Sequence, residues 1–141
     1  MGWRGTDPQE MKITVDTNIL VRAIVRDDPR QSEIAATTLR QAEILAVGMS
    51  CLCEFVWVLR RGYKFSHAAT AAAIRELLKA ANVETNRPAV EAGLAMLDAG
   101  GDFADGVIAH EGEWLGAETF VSFDKKAVEL LKAEGKSARL L

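Results

Sequence analysis

Histidine and cysteine are scarce in this sequence, with two of each in 141 residues. Cys51 and Cys53 stand two apart and are poorly placed to bridge each other. His67 and His110 show no metal-ligand spacing with them, so neither a disulfide framework nor a zinc site is expected. The thiols read as reduced and packed in a cytosolic core. Long apolar runs are missing too: none approaches the roughly 20 residues that a membrane helix needs. Met1 to Glu10 hold Gly, Arg, Asp and Pro but no apolar stretch. They read as a disordered extension, a tag or an early start codon, not a signal peptide. The patterned part begins at Met11, and a single domain is expected over 11–141. A cytoplasmic location follows. An excess of positive charge is also lacking. Seventeen Lys and Arg against 20 Asp and Glu give a net charge of −3, which by itself does not advertise a nucleic-acid binder. Arg60, Arg61 and Lys64 are candidates for a local basic patch, or equally for a solvated face.

What remains is a balance that suits one ordinary core. Apolar residues make up 49% and charged residues 26%, and a chain this long needs no staple to bury them. Lys12 to Val15 is a short β-prone run ending at Asp16. Ile19 to Val25 has helical spacing. Asp28–Pro29 predicts a helix start, with Asp as N-cap and Pro at the first position, running to about Gln41. Ile44 to Val47 reads as a buried strand. Ser50 can cap a helix from about Cys51 to Tyr63. Ser66 opens another, with Ile74, Leu77, Leu78 and Ala81 as its apolar stripe. Val83 to Thr85 is a brief strand. Pro88 starts a helix with Val90, Leu94 and Leu97 inward, ended by Gly100–Gly101. Asp102 caps the next, where Ala104, Val107 and Ile108 share a face. Thr119 to Ser122 is a strand, Asp124 caps a helix carrying Ala127, Leu130 and Leu131, and Ala138 to Leu141 closes as a strand. This alternation implies an α/β sandwich with a mostly parallel sheet. In such sheets ligands bind at the carboxyl ends of the strands.

Acids gather at those ends. Asp16 ends the first strand, Asp124 follows the fourth, and Glu54 is expected in the first turn of the helix after the second. Asp102 and Asp105 open the helix before the fourth. Asp is a favoured N-cap, and first-turn acids complement the helix dipole, so each Asp has a purely structural explanation. Glu54 interrupts the apolar run Cys51 to Leu59, four residues after Ser50, where a capping box does not account for it. Such neighbours predict partial burial. A buried carboxylate costs several kcal/mol unless a cation or hydrogen bonds compensate it. No lysine or arginine lies within one helical turn of it. Converging carboxylates repel, and a divalent cation removes that repulsion. Oxygen-rich, histidine-poor donors suit Mg²⁺ or Mn²⁺, ions that support phosphodiester hydrolysis.

Val15-Asp16-Thr17-Asn18-Ile19-Leu20, Glu54 after a Ser-bearing turn, Asp102-Phe103-Ala104-Asp105-Gly106 and Ser122-Phe123-Asp124-Lys125 together resemble the PIN-domain family. The nearest likeness is to the VapC-like toxin ribonucleases of type II toxin–antitoxin modules, over about Met11 to Leu141. The resemblance implies a three-layer sandwich with a five-stranded parallel sheet and an endoribonuclease using one or two Mg²⁺ or Mn²⁺ ions. It assigns Asp16, Glu54, Asp105 and Asp124 as catalytic metal ligands. Asn18 orders the cluster, Ser122 stands beside the last acid, and Asp102 is an additional acid. Gly106 departs from the usual Ala and is expected to weaken its helix slightly. The resemblance further implies a homodimer, an RNA substrate and a cognate antitoxin. The helix around Phe55, Trp57, Leu59 and Tyr63 is a candidate docking surface or simply core. Two other readings stay open. One is an aspartyl-phosphate phosphatase or phosphoacceptor using Asp16, although that phosphatase class wants a second Asp where Asn18 stands. The other is a catalytically silent PIN-like module that binds RNA or protein.

Overall fold

The computed structural model describes residues 11–141. The expectation for Met1 to Glu10 lies outside the described residues. Packing divides the chain into two compact units. The first runs to Phe65 and includes Ala72–Thr85, and the second comprises Ser66–Ala71 and Asn86–Leu141.

In the first unit, β1 (Lys12–Thr14), β2 (Ile44–Ala46) and β3 (Val83–Glu84) pair in the order β1-β2-β3, all parallel. Ile13 pairs with Leu45, which pairs with Val83. At the last rung of the ladder Thr14 Oγ1 donates to the Ala46 carbonyl at 2.7 Å, and just past it Thr85 Oγ1 donates to that of Val47 at 2.6 Å. These bonds satisfy carbonyls at the carboxyl edge that such short strands leave open. Helices α1 (Thr17–Ile24), α2 (Pro29–Gln41) and α3 (Met49–Trp57) accompany the sheet, and α4 (His67–Lys79) belongs to this unit from Ala72 onward. Pro29 takes the first helical position of α2, and Asp28 Oδ1 accepts from the Gln31 amide at 3.1 Å, as its sequence requires. Ser66 Oγ accepts from the Ala69 amide at 3.0 Å ahead of α4. The last turn after α3 widens into a π turn, Val58–Gly62. Leu20, Leu45, Leu52, Phe55, Leu59 and Ile74 are fully enclosed here.

In the second unit, α5 (Arg87–Asp98), α6 (Phe103–Trp114), β4 (Phe120–Ser122), α7 (Lys125–Ala133) and β5 (Ala138–Leu140) follow in order. β4 and β5 are parallel, with Val121 opposite Arg139. Met96, Ala109, Ala127, Val128, Leu131 and Ala138 form one buried cluster, with Phe120 and Leu130 against it. α5 and α6 pack closely because both carry a glycine at the contact. A Cβ on Gly93 would come within 2.5 Å of the Phe103 ring. One on Gly106 would collide with the Ala92 carbonyl oxygen and stand 2.8 Å from Met96 Cγ. Gly106 is therefore a packing requirement and not merely a weak helix former. The buried face of α6 is Phe103, Gly106, Val107 and Ala109. Ile108, expected inward, is exposed and Ala104 half-buried.

The parallel α/β alternation thus matches expectation. The single five-stranded sheet does not appear: ladder hydrogen bonds join the strands as three and two.

Candidate active site

Asp16 leaves β1 at its carboxyl end and becomes the N-cap of α1. Its extended backbone lets Oδ1 accept from the Ile19 amide at 3.1 Å. Asn18 is exposed in the first turn of α1 and makes no side-chain hydrogen bond to an acid among the described residues.

Glu54 follows β2, but its setting differs from the one its neighbours suggest. Gly48, not Ser50, is the N-cap of α3, so Glu54 lies in the second turn. It is exposed rather than part-buried. The buried stripe of this helix is Leu52, Phe55, Val56 and Leu59, at helical spacing. Glu54 falls on the other face with Trp57 and Arg61, which are also exposed. Residues adjacent in sequence point away from it, so no burial penalty singles it out. Its place after a strand's carboxyl end is what remains. Phe55 and Leu59 are core, Tyr63 is half-buried, and Trp57 alone of the expected docking residues is largely exposed, at 61%.

The thiol of Cys51 is bonded to the residues on either side of Asp16. Thr17 Oγ1 donates to Cys51 Sγ at 3.8 Å, and the thiol donates to the Val15 carbonyl at 3.7 Å. Burial pushes the Cys51 thiol pKa up. The Thr17 hydrogen bond lowers it in part, and the charges of Glu54 and then Asp16 raise it further. Neither cysteine forms a disulfide, and both are half-buried. Nothing in the cysteine count pointed to this role. The signals available were a hydroxyl directly after Asp16 and a thiol three residues before Glu54.

In the second unit the acids act on one another. Asp102 caps α6, its Oδ1 accepting from the Ala104 amide at 3.1 Å. Asp124 caps α7 in the same way, through the Ala127 amide at 3.1 Å. Ser122 Oγ accepts from the Asp124 amide at 2.9 Å, which fixes the turn between β4 and that cap. Asp105 sits half-buried in the first turn of α6. Burial pushes its carboxyl pKa up, and the negative charges of Asp102 and Asp124 push it further.

Capping explains where three of these acids stand but occupies only one oxygen of each. Among the described residues, no lysine or arginine forms an ion pair with Asp16, Glu54, Asp102, Asp105 or Asp124. Nor do three or more His, Cys, Asp or Glu side chains there form a ready-made metal cage. The donor set still fits a hard divalent cation, because it is all carboxylate, and Asp105 carries like-charge repulsion that a cation would relieve.

No curated protein matches the chain. The family model of the PIN domain matches residues 13–132, a span that contains all five acids. The chain therefore belongs to the PIN-domain family, a superfamily of nucleases that bind RNA and typically use divalent metal ions.

Proposed function

We propose that this chain is a Mg²⁺- or Mn²⁺-dependent endoribonuclease, with 11–141 as its catalytic domain and Asp16, Glu54, Asp105 and Asp124 as ligands of one or two ions. The observation that carries the reading is the PIN-domain match over residues 13–132, a span that contains Asp16, Glu54, Asp105 and Asp124. Burial and the charges of Asp102 and Asp124 raise the pKa of half-buried Asp105, which accords with a functional carboxylate. A bound divalent ion supplies positive charge against the phosphodiester.

The chain's own groups do the rest. The cap hydrogen bonds hold Asp16 and Asp124 in fixed directions, leaving the second oxygen of each to reach outward. Asp102 contributes negative charge next to Asp105. Ser122 holds the Asp124 turn. Without a cation, Asp105 takes up a proton more readily than an ordinary carboxylate, which relieves the repulsion by another route. The acidic net charge does not oppose RNA binding, because an ion held by these carboxylates would supply positive charge toward a phosphate.

We further propose that the enzyme acts in the cytoplasm as the toxin of a toxin–antitoxin pair and forms a homodimer. Large exposed apolar side chains support a protein partner: Trp57 in the first unit, and Trp114 and Phe123 in the second at 81% and 82%. Brief expression followed by mapping of cleavage ends on cellular RNA tests the activity. Metal-dependent cuts that vanish with Asp16→Asn are expected, and undiminished cleavage by that variant would overturn the assignment.

A further inference from the structure

Asp16 is held from both sides by one side chain. Its predecessor Val15 accepts from the Cys51 thiol through its carbonyl, and its successor Thr17 donates to the same sulfur, at 3.7 and 3.8 Å. Thr17 is buried, so its hydroxyl has little access to water as an alternative partner. Cys51 and Glu54 lie three residues apart on α3 and are therefore neighbours on its surface. A rotation of α3 that displaced Glu54 would carry the sulfur off Val15 and Thr17. A thiol suits this post, because its long bonds and large radius let one atom reach a donor and an acceptor without a close approach of the helices.

We propose that Cys51 is a positioning residue that fixes Asp16 and Glu54 relative to each other for cation binding. This rests on the reading of both acids as ligands of a divalent ion. Its chemistry is that of a weak, two-sided hydrogen bond, not of a nucleophile. It differs from ordinary packing in one checkable respect, which is that the polar partners matter more than the volume.

The test measures Mn²⁺ binding to the metal-free protein by calorimetry, together with thermal unfolding, for Cys51→Val, Cys51→Ser, Thr17→Val and the double variant Thr17→Val/Cys51→Val. Cys51→Val keeps the bulk and loses the hydrogen bonds, whereas Cys51→Ser does the reverse. The expected result is Mn²⁺ binding weakened roughly three- to tenfold in Cys51→Val, somewhat less than for a group that bonds a ligand directly. Cys51→Ser should recover to within about twofold, and the double variant should be no worse than the worse single one. The Mn²⁺ midpoint for RNA cleavage should rise in Cys51→Val by a factor similar to its loss of Mn²⁺ binding. Wild-type affinity in Cys51→Val, or a loss in Cys51→Ser as large as in Cys51→Val, would overturn the proposal. Asp16→Asn separates the two layers. If the unaltered protein binds Mn²⁺ no better than Asp16→Asn, the ligand assignment itself has failed, and the role of Cys51 fails with it.

Discussion

The two compact units handle negative charge in different ways. In the first, burial and then the charges of Glu54 and Asp16 raise the pKa of the Cys51 thiol, which is bonded to the residues on either side of Asp16. In the second, burial and then the charges of Asp102 and Asp124 raise the pKa of half-buried Asp105. The first arrangement ties the neighbours of an acid to a helix through hydrogen bonds. Acids set against each other store repulsion that only a proton or a cation removes. The first arrangement concerns geometry and the second concerns charge, so substitutions in the two units should fail differently.

The largest effect is expected from Asp16→Asn. Cleavage should fall by at least about a thousandfold, equivalent to roughly 4 kcal/mol of activation free energy, while circular dichroism stays that of the parent. The amide side chain can still cap α1, so the fold has little reason to change. Asp105→Asn should reduce cleavage by about a hundredfold and leave a second trace that Asp16→Asn lacks. Because folding raises the pKa of Asp105, its contribution to stability is fully present below the ordinary value of 3.8 and is lost as pH rises through the folded value. Metal-free protein should thus lose stability relative to Asp105→Asn as pH rises out of the acid range, and Mg²⁺ should restore it at neutral pH. Thermal melts from pH 4 to 7, with and without Mg²⁺, read this directly. An identical pH profile for parent and variant would break the contrast between the units.

Gly106→Ala comes next. Helix propensity favours Ala by about 1 kcal/mol, whereas overpacking costs about 1–3 kcal/mol. A Cβ there meets backbone, not a flexible side-chain tip, so the clash should win and urea melts should show net destabilisation. The smallest effect on folding belongs to Trp57→Ser, within about 0.5 kcal/mol as for other surface changes. If this side chain anchors a partner, sedimentation should show weaker self-association or antitoxin binding with the melting temperature unmoved.

Local signals in the sequence proved readable. Asp16, Asp28, Asp102 and Asp124 were identifiable as helix starts because a cap needs only its own carboxylate and an amide two or three residues on. The parallel alternation was equally legible. Glu54 was misjudged because apolar neighbours along a helix lie on every side of it, and only the stripe Leu52, Phe55, Val56 and Leu59 turns inward. Gly106 looked like a defect because its cause, the Ala92 carbonyl on another helix, is distant in sequence. The link from Cys51 to Val15 and Thr17 spans more than thirty residues, and no spacing rule reaches that far.

The π turn at Val58–Gly62 has a consequence for how the chain tolerates changes in length. Such a turn is a helix that accommodates one residue more than its α pitch allows. It lies after Glu54 and is secured at its far end by the Arg60 guanidinium donating to the Phe65 carbonyl at 2.7 Å. Removing one residue within it would let the segment relax into regular α-helix, and the slack would be taken up downstream. The stretch from Gly48 to Trp57 would keep its phase, and with it the angular position of Glu54.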